Sequence, residues 1–443
     1  MSRSTRVHIQ WTNKSADELA LPSAFFTRWG LKDGQTYVVQ VGGRSVKAVI
    51  RLAKEGNSST IQLSRMLQKK LLLPSIQSLH MKYQNGSLRL GPVIGIVYAR
   101  ITDHSGLMLR HLSSHANVVV SFLPNEVNWS TGLIHGRSLS RNTTGENRVN
   151  RQALPIPDVI YNRIVPYKVY ERPHVRQFLQ KARTRRIPLF NPPFIFRKDT
   201  IHQYLMKHAS IRSHLPASVI APTLTQVTQL LASHQAVFFK PVTGSQGKGI
   251  YKIKKGVDGI FSKEARFNKR YMVSSSKDLS KLYHEVVGKH TRAAYLVQAD
   301  VQLAKFNNDF FDFRVHLFKD GKHKWQISAI GANVFGSENV TTHGGWIKPV
   351  QEVLKPVFGA KATMVEKGIL ALSLQVANQV TKCIKQPVGE VALDIGVDQK
   401  GKAWLFEVNS KPGLHIYKHW KIKDRLNHST TLLAEHCRAQ AGF

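Results

Sequence analysis

The chain has 443 residues, 42% of them hydrophobic, and carries 64 lysines and arginines against 27 acids for a formal net charge of +37. That length exceeds what one hydrophobic core spans, so two to four globular domains are expected, and no run of about 18 apolar residues is present to cross a membrane as a helix. The basic excess is scattered, which argues against a detachable nucleic-acid arm and for attraction of polyanions in general, whether nucleotides, nucleic acids or acidic polymers. Cys383 and Cys437 lie far apart without C-x-x-C or zinc-ligand spacing, so neither a disulfide framework nor a structural zinc is indicated. The amino terminus runs into polar sequence without the apolar core of a secretion signal, which predicts cytoplasmic synthesis.

In chain order, the first ninety or so residues show a faint duplication at an offset of about forty-two. Leu21-Pro22-Ser23 to Gly43 and Leu63-Ser64-Arg65 to Gly86 share a short helix, a leucine-rich turn and a strand, aligning Phe26 with Leu67 and Leu31 with Leu73. A β-rich, barrel-like domain of two interlocked halves is expected over 1–91. At Gly91-Pro92 the apolar run Val93-Ile94-Gly95-Ile96-Val97-Tyr98 begins a small parallel α/β domain over 92–193, with further strands at 117–123, 158–161 and 188–190. Residues 138–152, polar and rich in Asn, Thr and Arg, read as a mobile surface loop. Beyond Phe196, Asp199 or Thr200 can cap a short helix, 223–234 has helical spacing, and 236–240 is a strand. A strand at 270–273, a helix at 276–287 and a strand at 294–301 follow. Then come two hairpins, turning at Asp320-Gly321 and Lys400-Gly401 and separated by an amphipathic helix at 363–385. The clusters Lys181-Ala182-Arg183-Thr184-Arg185-Arg186 and Lys252-Ile253-Lys254-Lys255 lack the interleaved aromatics that stack bases and read as solvated faces.

Two stretches carry chemistry. In Phe238-Phe239-Lys240-Pro241-Val242-Thr243-Gly244-Ser245-Gln246-Gly247-Lys248-Gly249-Ile250 an apolar strand ends on a lysine and enters a glycine-rich loop. Glycines admit the positive φ angles and close backbone approach that wrapping a phosphate needs. The order is neither that of a P-loop nor that of a Rossmann fingerprint, and taken alone the loop reads equally well as a hairpin turn. Farther on, Asp394 lies on the strand 390–397, and Glu407 and Asn409 lie on its partner 403–409. Strand alternation puts Glu407 and Asn409 on one face; if the tip is a two-residue turn at Lys400-Gly401, Asp394 sits opposite Glu407, and a four-residue tip still leaves it on that same face. Two carboxylates and an amide carbonyl suit Mg²⁺ or Mn²⁺. Without the phosphate loop they would read as an ordinary solvated hairpin face.

Together, in this order, these features resemble the ATP-grasp superfamily, in which a lysine, a glycine-rich flap and a D...E-x-N metal set recur on two α/β subdomains. Within it the chain is similar to the YheC/YheD endospore coat-associated family, through Pro157-Asp158-Val159-Ile160-Tyr161-Asn162-Arg163, Phe190-Asn191-Pro192, Lys240-Pro241 and Glu407-Val408-Asn409-Ser410-Lys411-Pro412-Gly413. The resemblance implies an ATP-grasp domain over 194–443, split into 194–297 and 298–443, in a protein of α/β (α+β) class. It implies that Lys198 and Lys240 contact phosphate, with Gly244, Ser245, Gln246, Gly247 and Gly249 forming the flap. It also implies that Gln298 and Val301 edge an adenine-binding hinge, where many relatives of this superfamily have glutamate at the Gln298 position. Asp394, Glu407 and Asn409 would hold the metal, and Arg314 would face the transferred phosphoryl group. Gly344 and Gly345 would lie in a second glycine loop, and Lys411 and Gly413 against substrate. The implied activity is ATP- and Mg²⁺-dependent carboxylate–amine ligation, with an acid and an amine of unknown identity. An acidic peptide or polymer fits the basic surface, spore-coat proteins are the implied partners, and nucleic acid is the less favoured one. A protein that binds nucleotide without turnover and serves coat assembly is the alternative.

Overall fold

Alternating apolar residues close the amino-terminal strands into a barrel. These are β1 (Thr5–Thr12), β2 (Glu18–Leu21), β3 (Thr36–Val41), β4 (Arg44–Leu52), β5 (Thr60–Ser64), β6 (Ser78–Gln84) and β7 (Ser87–Gly91), in the order β1-β5-β2-β4-β3-β7-β6. Strand β5 lies between β1 and β2, and helices α1 (Ser23–Trp29) and α2 (Arg65–Leu71) follow β2 and β5 in the chain. The structure is a computed structural model and describes residues 4–53, 58–115, 118–141, 146–194, 196–243, 248–256, 258–267, 270–288, 294–336 and 345–443. Contacts divide it into two units, one of Met1–Phe194, Lys319–Lys324 and Asn427–Phe443, the other of Ile195–Phe318 and Trp325–Leu426.

The first unit also holds β8 (Val93–Val97), β9 (Val118–Phe122), β10 (Val127–Asn128), β11 (Leu133–Arg141), β12 (Asn147–Pro155), β13 (Val159–Asn162) and β14 (Leu189–Phe190). Strands β9, β8, β13 and β14 run parallel, with helices α3 (Asp103–Ser113) and α4 (Pro173–Thr184) in the connections. Val93, Val120, Phe122 and Ile160 from this sheet bury in one apolar cluster with Leu19, Ile50 and Met81 of the barrel. The expected loop at 138–152 is instead mostly the β11–β12 hairpin, paired from Leu133↔Pro155 to Arg141↔Asn147. Polar cross-strand bonds hold it, Gln152 Nε2 to Ser138 Oγ at 2.7 Å and Asn150 Nδ2 to Ser140 Oγ at 2.7 Å. Such pairs stabilise a ladder without apolar alternation, which is why the composition hid the strands.

The second unit has two sheets. The first orders β15 (Ser218–Ile220), β20 (Tyr295–Ala299), β16 (Ala236–Pro241), β17 (Tyr251–Lys255), β18 (Phe261–Phe267) and β19 (Arg270–Ser276) side by side. The helices α7 (Leu224–Ser233) and α8 (Leu279–Val287) share its core: Val227, Leu231 and Tyr283 pack on Val237, Phe239 and Val297. Ahead of them come α5 (Lys198–Leu205) and α6 (Ala209–Arg212). The second sheet orders β24 (Trp346–Lys348), β23 (Trp325–Phe335), β22 (Asp309–Lys319), β25 (Glu390–Val397) and β26 (Ala403–Asn409), with β21 (Lys305–Phe306) pairing β22. Helices α9 (Val350–Phe358) and α10 (Ala362–Cys383) pack against it and α11 (Trp420–Lys423) follows, whereas α12 (Arg425–Gln440) belongs from Asn427 on to the first unit. Two helix starts differ from expectation. Helix α5 begins at Lys198, ahead of Asp199, whose carboxylate pairs with Arg197 at 2.6 Å instead of capping. Helix α8 begins at Leu279, where Asp278 accepts from the Ser280 N–H at 2.8 Å, because Ser276 still belongs to strand β19. No described helix is long and apolar enough to cross a membrane.

Candidate functional site

Strand alternation aims the chemistry of the second unit into one cavity of about 380 Å³. On β16, Val237 and Phe239 bury in the core, so Phe238 and Lys240 take the opposite face and line the cavity. On β20, Val297 faces the same core and Gln298 faces the cavity, directly across from Phe238 in the ladder. The Lys198 N–H donates to the Val242 carbonyl at 3.0 Å, which ties the start of α5 to the end of β16 and brings Lys198 into the same lining. From the other sheet come Asp312, Asp394, Phe406 and Glu407. Lys198, Lys240, Gln298, Val301, Asp394 and Glu407, widely spaced in sequence, therefore share one cavity.

The acidic set converges. Asp394 pairs with Glu407 and Ala392 with Asn409 in the β25–β26 ladder, and the Asn409 Nδ2 donates to the Asp394 Oδ2 at 3.1 Å. The register arises differently from the two-residue turn expected at Lys400-Gly401. The tip is longer, closed by the Asp398 N–H to the Lys402 carbonyl at 3.0 Å, so Val397 pairs with Ala403. A one-residue bulge between Asp394 and Ile395 then brings Asp394 back opposite Glu407. The bulge leaves Phe406 unpaired and lets neighbouring Phe406 and Glu407 both reach the cavity. Gly396 permits this, because a Cβ there would collide with the Phe406 ring and Leu303.

Each acid already has a cation. Arg314, opposite Asp394 on β22, approaches it with Nε 2.5 Å from Oδ1 and donates from Nη2 to Oδ2 at 3.1 Å. The shorter approach is off the N–H direction, so it is an ion pair and not a second hydrogen bond. Lys198 Nζ lies 2.8 Å from Glu407 Oε1. Lys240 donates to the neutral amide oxygen of Gln298 and sits 5.3 Å from the Phe406 ring centre and 5.8 Å from that of Phe238. Burial, with the Lys198 charge beside it, pulls the Lys240 ammonium down to about 8 against the attraction of Glu407, Asp394 and Asp300. Burial pushes the Asp394 carboxyl up, Glu407 adds to that, and Arg314 opposes it. For Arg314 burial pulls down, and Asp394, Asp312 and Glu407 more than offset it.

Other expected residues lie elsewhere. Arg314 and Asn409 touch Asp394 from outside the cavity lining. Gly345, Lys411 and Gly413 do not line the cavity. Gly344 and the flap residues Gly244, Ser245, Gln246 and Gly247 fall outside the described residues, and Gly249 has φ +74° beside the Pro241 ring. Lys252, Lys254 and Lys255, read from sequence as a solvated face, line the cavity, with Lys255 exposed. Lys252 pairs with Asp300 at 3.0 Å and lies 4.8 Å from the Phe238 ring centre, and Lys254 pairs with Glu264 at 2.5 Å. The signal was present, since the strand leaving the flap must pair with the strand entering it, and Lys252 then falls opposite Phe238. Asp300, Asp312 and Phe406 were also passed over, the first two inside motifs read for their neighbours.

A family model described as YheC/D like ATP-grasp matches residues 186–439. The chain is also 30% identical over 379 residues to the endospore coat-associated protein YheD of Bacillus subtilis (strain 168), covering 81% of each protein. The chain belongs to the YheC/D-like ATP-grasp family. It is 21% identical over 279 residues to the endospore coat-associated protein YheC of the same organism, over 60% of this chain and 73% of that one. Among solved structures, the ATP-grasp ligase PsnB complexed with a minimal precursor aligns with a TM-score of 0.44 at 13% identity, over 78% of this chain and 98% of that chain. All the cavity-lining residues fall within the segment matched by the YheC/D-like family model.

Proposed function

We propose that this YheC/D-like ATP-grasp protein is an ATP- and Mg²⁺-dependent carboxylate–amine ligase that works in association with the endospore coat. The observation that carries the reading is the meeting of Lys198, Lys240, Asp394 and Glu407 in one cavity, with Asn409 bonded to Asp394. The donor set fits a divalent cation: Asp394, Glu407 and Asn409 offer hard oxygens on adjacent strands, with no thiol or imidazole among them. Bound there, the cation would supply charge neutralisation to the phosphate oxygens. Lys198 and Lys240 bind phosphate, with Lys240 gaining the counter-charge that Gln298 does not give it. The Arg314 guanidinium stands beside Asp394 and stabilises charge on the phosphoryl group in transfer. Gln298 and Val301 edge the base, and Gly244 to Gly249 close over the phosphates to exclude water, which protects an acyl phosphate until an amine attacks it. Gly344, Gly345, Lys411 and Gly413 are assigned to the acceptor side. In this reading a β-rich region at 1–91 and an α/β region at 92–193 precede an ATP-grasp domain at 194–443 that divides near 297.

Both curated relatives are named for coat association and not for a reaction, which favours a second reading: nucleotide binding without turnover, in coat assembly. ADP release with Mg²⁺ and pools of amino acids or short acidic peptides separates the two. Acceptor-stimulated release by the natural protein, abolished in Glu407→Gln and Lys240→Ala, supports the ligase. Nucleotide binding with no turnover across the pools supports the assembly role.

A further inference from the structure

Residues 167–186 hold seven lysines and arginines and one acid, Glu171. Helix α4 buries Val175, Phe178 and Ala182 on one side. Arg172, at its N-cap, and Arg176 and Arg183 are exposed. At 100° per residue, spacings of 4 and 11 place the three within about 40° of one another, a stripe about 16 Å long. None has an acidic partner among the described residues, whereas several other arginines of the first unit are engaged. Arg151 and Arg137 pair with Glu126, Arg148 pairs with Glu146, and Arg185 donates to the Trp129 carbonyl at 2.6 Å.

Two of the three work against the helix that carries them, while Arg183, in the last turn, suits its negative end. Arg172 and Arg176 put positive charge at the positive end of the helix dipole, where the first turn has no acid. They are also like charges at i, i+4, which repel. Arg172 and Arg176 therefore cost helix stability while exposed and without acidic partners, and a ligand that supplied the missing charge would offset that cost.

We propose that the Arg172/Arg176/Arg183 stripe is a docking site for an extended acidic polypeptide. Guanidinium forks match carboxylates two oxygens at a time. A strand of about five residues covers the stripe at about 3.3 Å per residue. Base stacking, which a single-stranded nucleic acid would use, has no Phe, Tyr or Trp platform on the helix, where Phe178 is 1% exposed and His174 carries the one exposed aromatic ring. The surface belongs to the first unit, and the inference does not depend on the nucleotide site.

Fluorescence anisotropy of a labelled ten-glutamate peptide with the full chain tests it, comparing R172Q/R176Q/R183Q with K355Q/K361Q/K367Q, which removes equal charge from exposed positions elsewhere. The stripe variant is expected to bind about tenfold more weakly and the control within about twofold of the natural protein. The double variant R172Q/R176Q, which keeps Arg183 at the favourable end, is also expected to melt at or above the natural temperature, because it relieves the opposed dipole. Equal weakening in both variants overturns the proposal by showing diffuse attraction. A lower melting temperature in R172Q/R176Q overturns it by showing that these two arginines serve the fold. Tighter binding of a single-stranded oligonucleotide than of the peptide, lost in the stripe variant, overturns the polypeptide as partner.

Discussion

Lys240 is half-buried in the cavity wall with a neutral amide as its hydrogen-bonding partner, and its proton affinity is pulled down to about 8. A bound phosphate would raise it again, so the gain in affinity is complete below about pH 8 and is lost as pH rises through the higher value of the complex. Titration of Mg·ADP is therefore expected to weaken progressively from pH 7.5 to 10, and Lys240→Met should bind less tightly with a flatter profile. An equal pH slope in both proteins would contradict this. The Arg314–Asp394 pair makes a stability claim at the same scale. Both residues are buried, so Arg314→Met leaves Asp394 without its cation and is expected to cost about 3–5 kcal/mol at pH 7 in urea unfolding. The loss should shrink at pH 5, because protonation of the already raised Asp394 carboxyl removes the buried charge. A loss that grows on acidification would refute that account of the pair.

Among the elements, the β25–β26 hairpin decides which side chains meet. Its face was legible because Glu407 and Asn409 are two residues apart and Asp394 has one apolar neighbour on each side, a pattern that alternation alone resolves. The mechanism of the register was not legible. A longer tip and a bulge at Phe406 cancel, and neither leaves a compositional trace except Gly396, whose missing side chain seats the Phe406 ring. Gly396→Ala is accordingly expected to displace Phe406 and lower nucleotide affinity by about tenfold, while unfolding free energy falls by about 1–3 kcal/mol from overpacking. Unchanged nucleotide affinity would show that the ring does not shape the cavity. The β11–β12 hairpin was hidden for a different reason, since Ser138, Ser140, Asn150 and Gln152 stabilise it through bonds between polar side chains that resemble loop composition. Lys252 was missed because a run of lysines looks solvated until its antiparallel partner is known.

Over the whole molecule, the barrel and the parallel sheet of the first unit share apolar packing, with Leu19, Ile50 and Met81 in one cluster with Val93, Phe122 and Ile160. Their separate sheets made the change at Gly91-Pro92 visible in sequence, but the continuity of the core across it was not, because periodicity reports which face is apolar and not what covers it. A fragment beginning at residue 92 is expected to expose that face and aggregate, measured as soluble yield and melting temperature against the full chain. A monomeric, cooperatively melting fragment would refute the shared core. The central claim is that Lys198, Lys240, Asp394, Glu407 and Asn409 form one metal–nucleotide site. Isothermal titration of ATP with and without Mg²⁺ into the full chain and into Glu407→Gln measures it most directly. Mg²⁺-enhanced binding at one site per chain, lost or greatly weakened in Glu407→Gln, is the predicted result, and absence of nucleotide binding, or binding indifferent to both Mg²⁺ and Glu407, would contradict it.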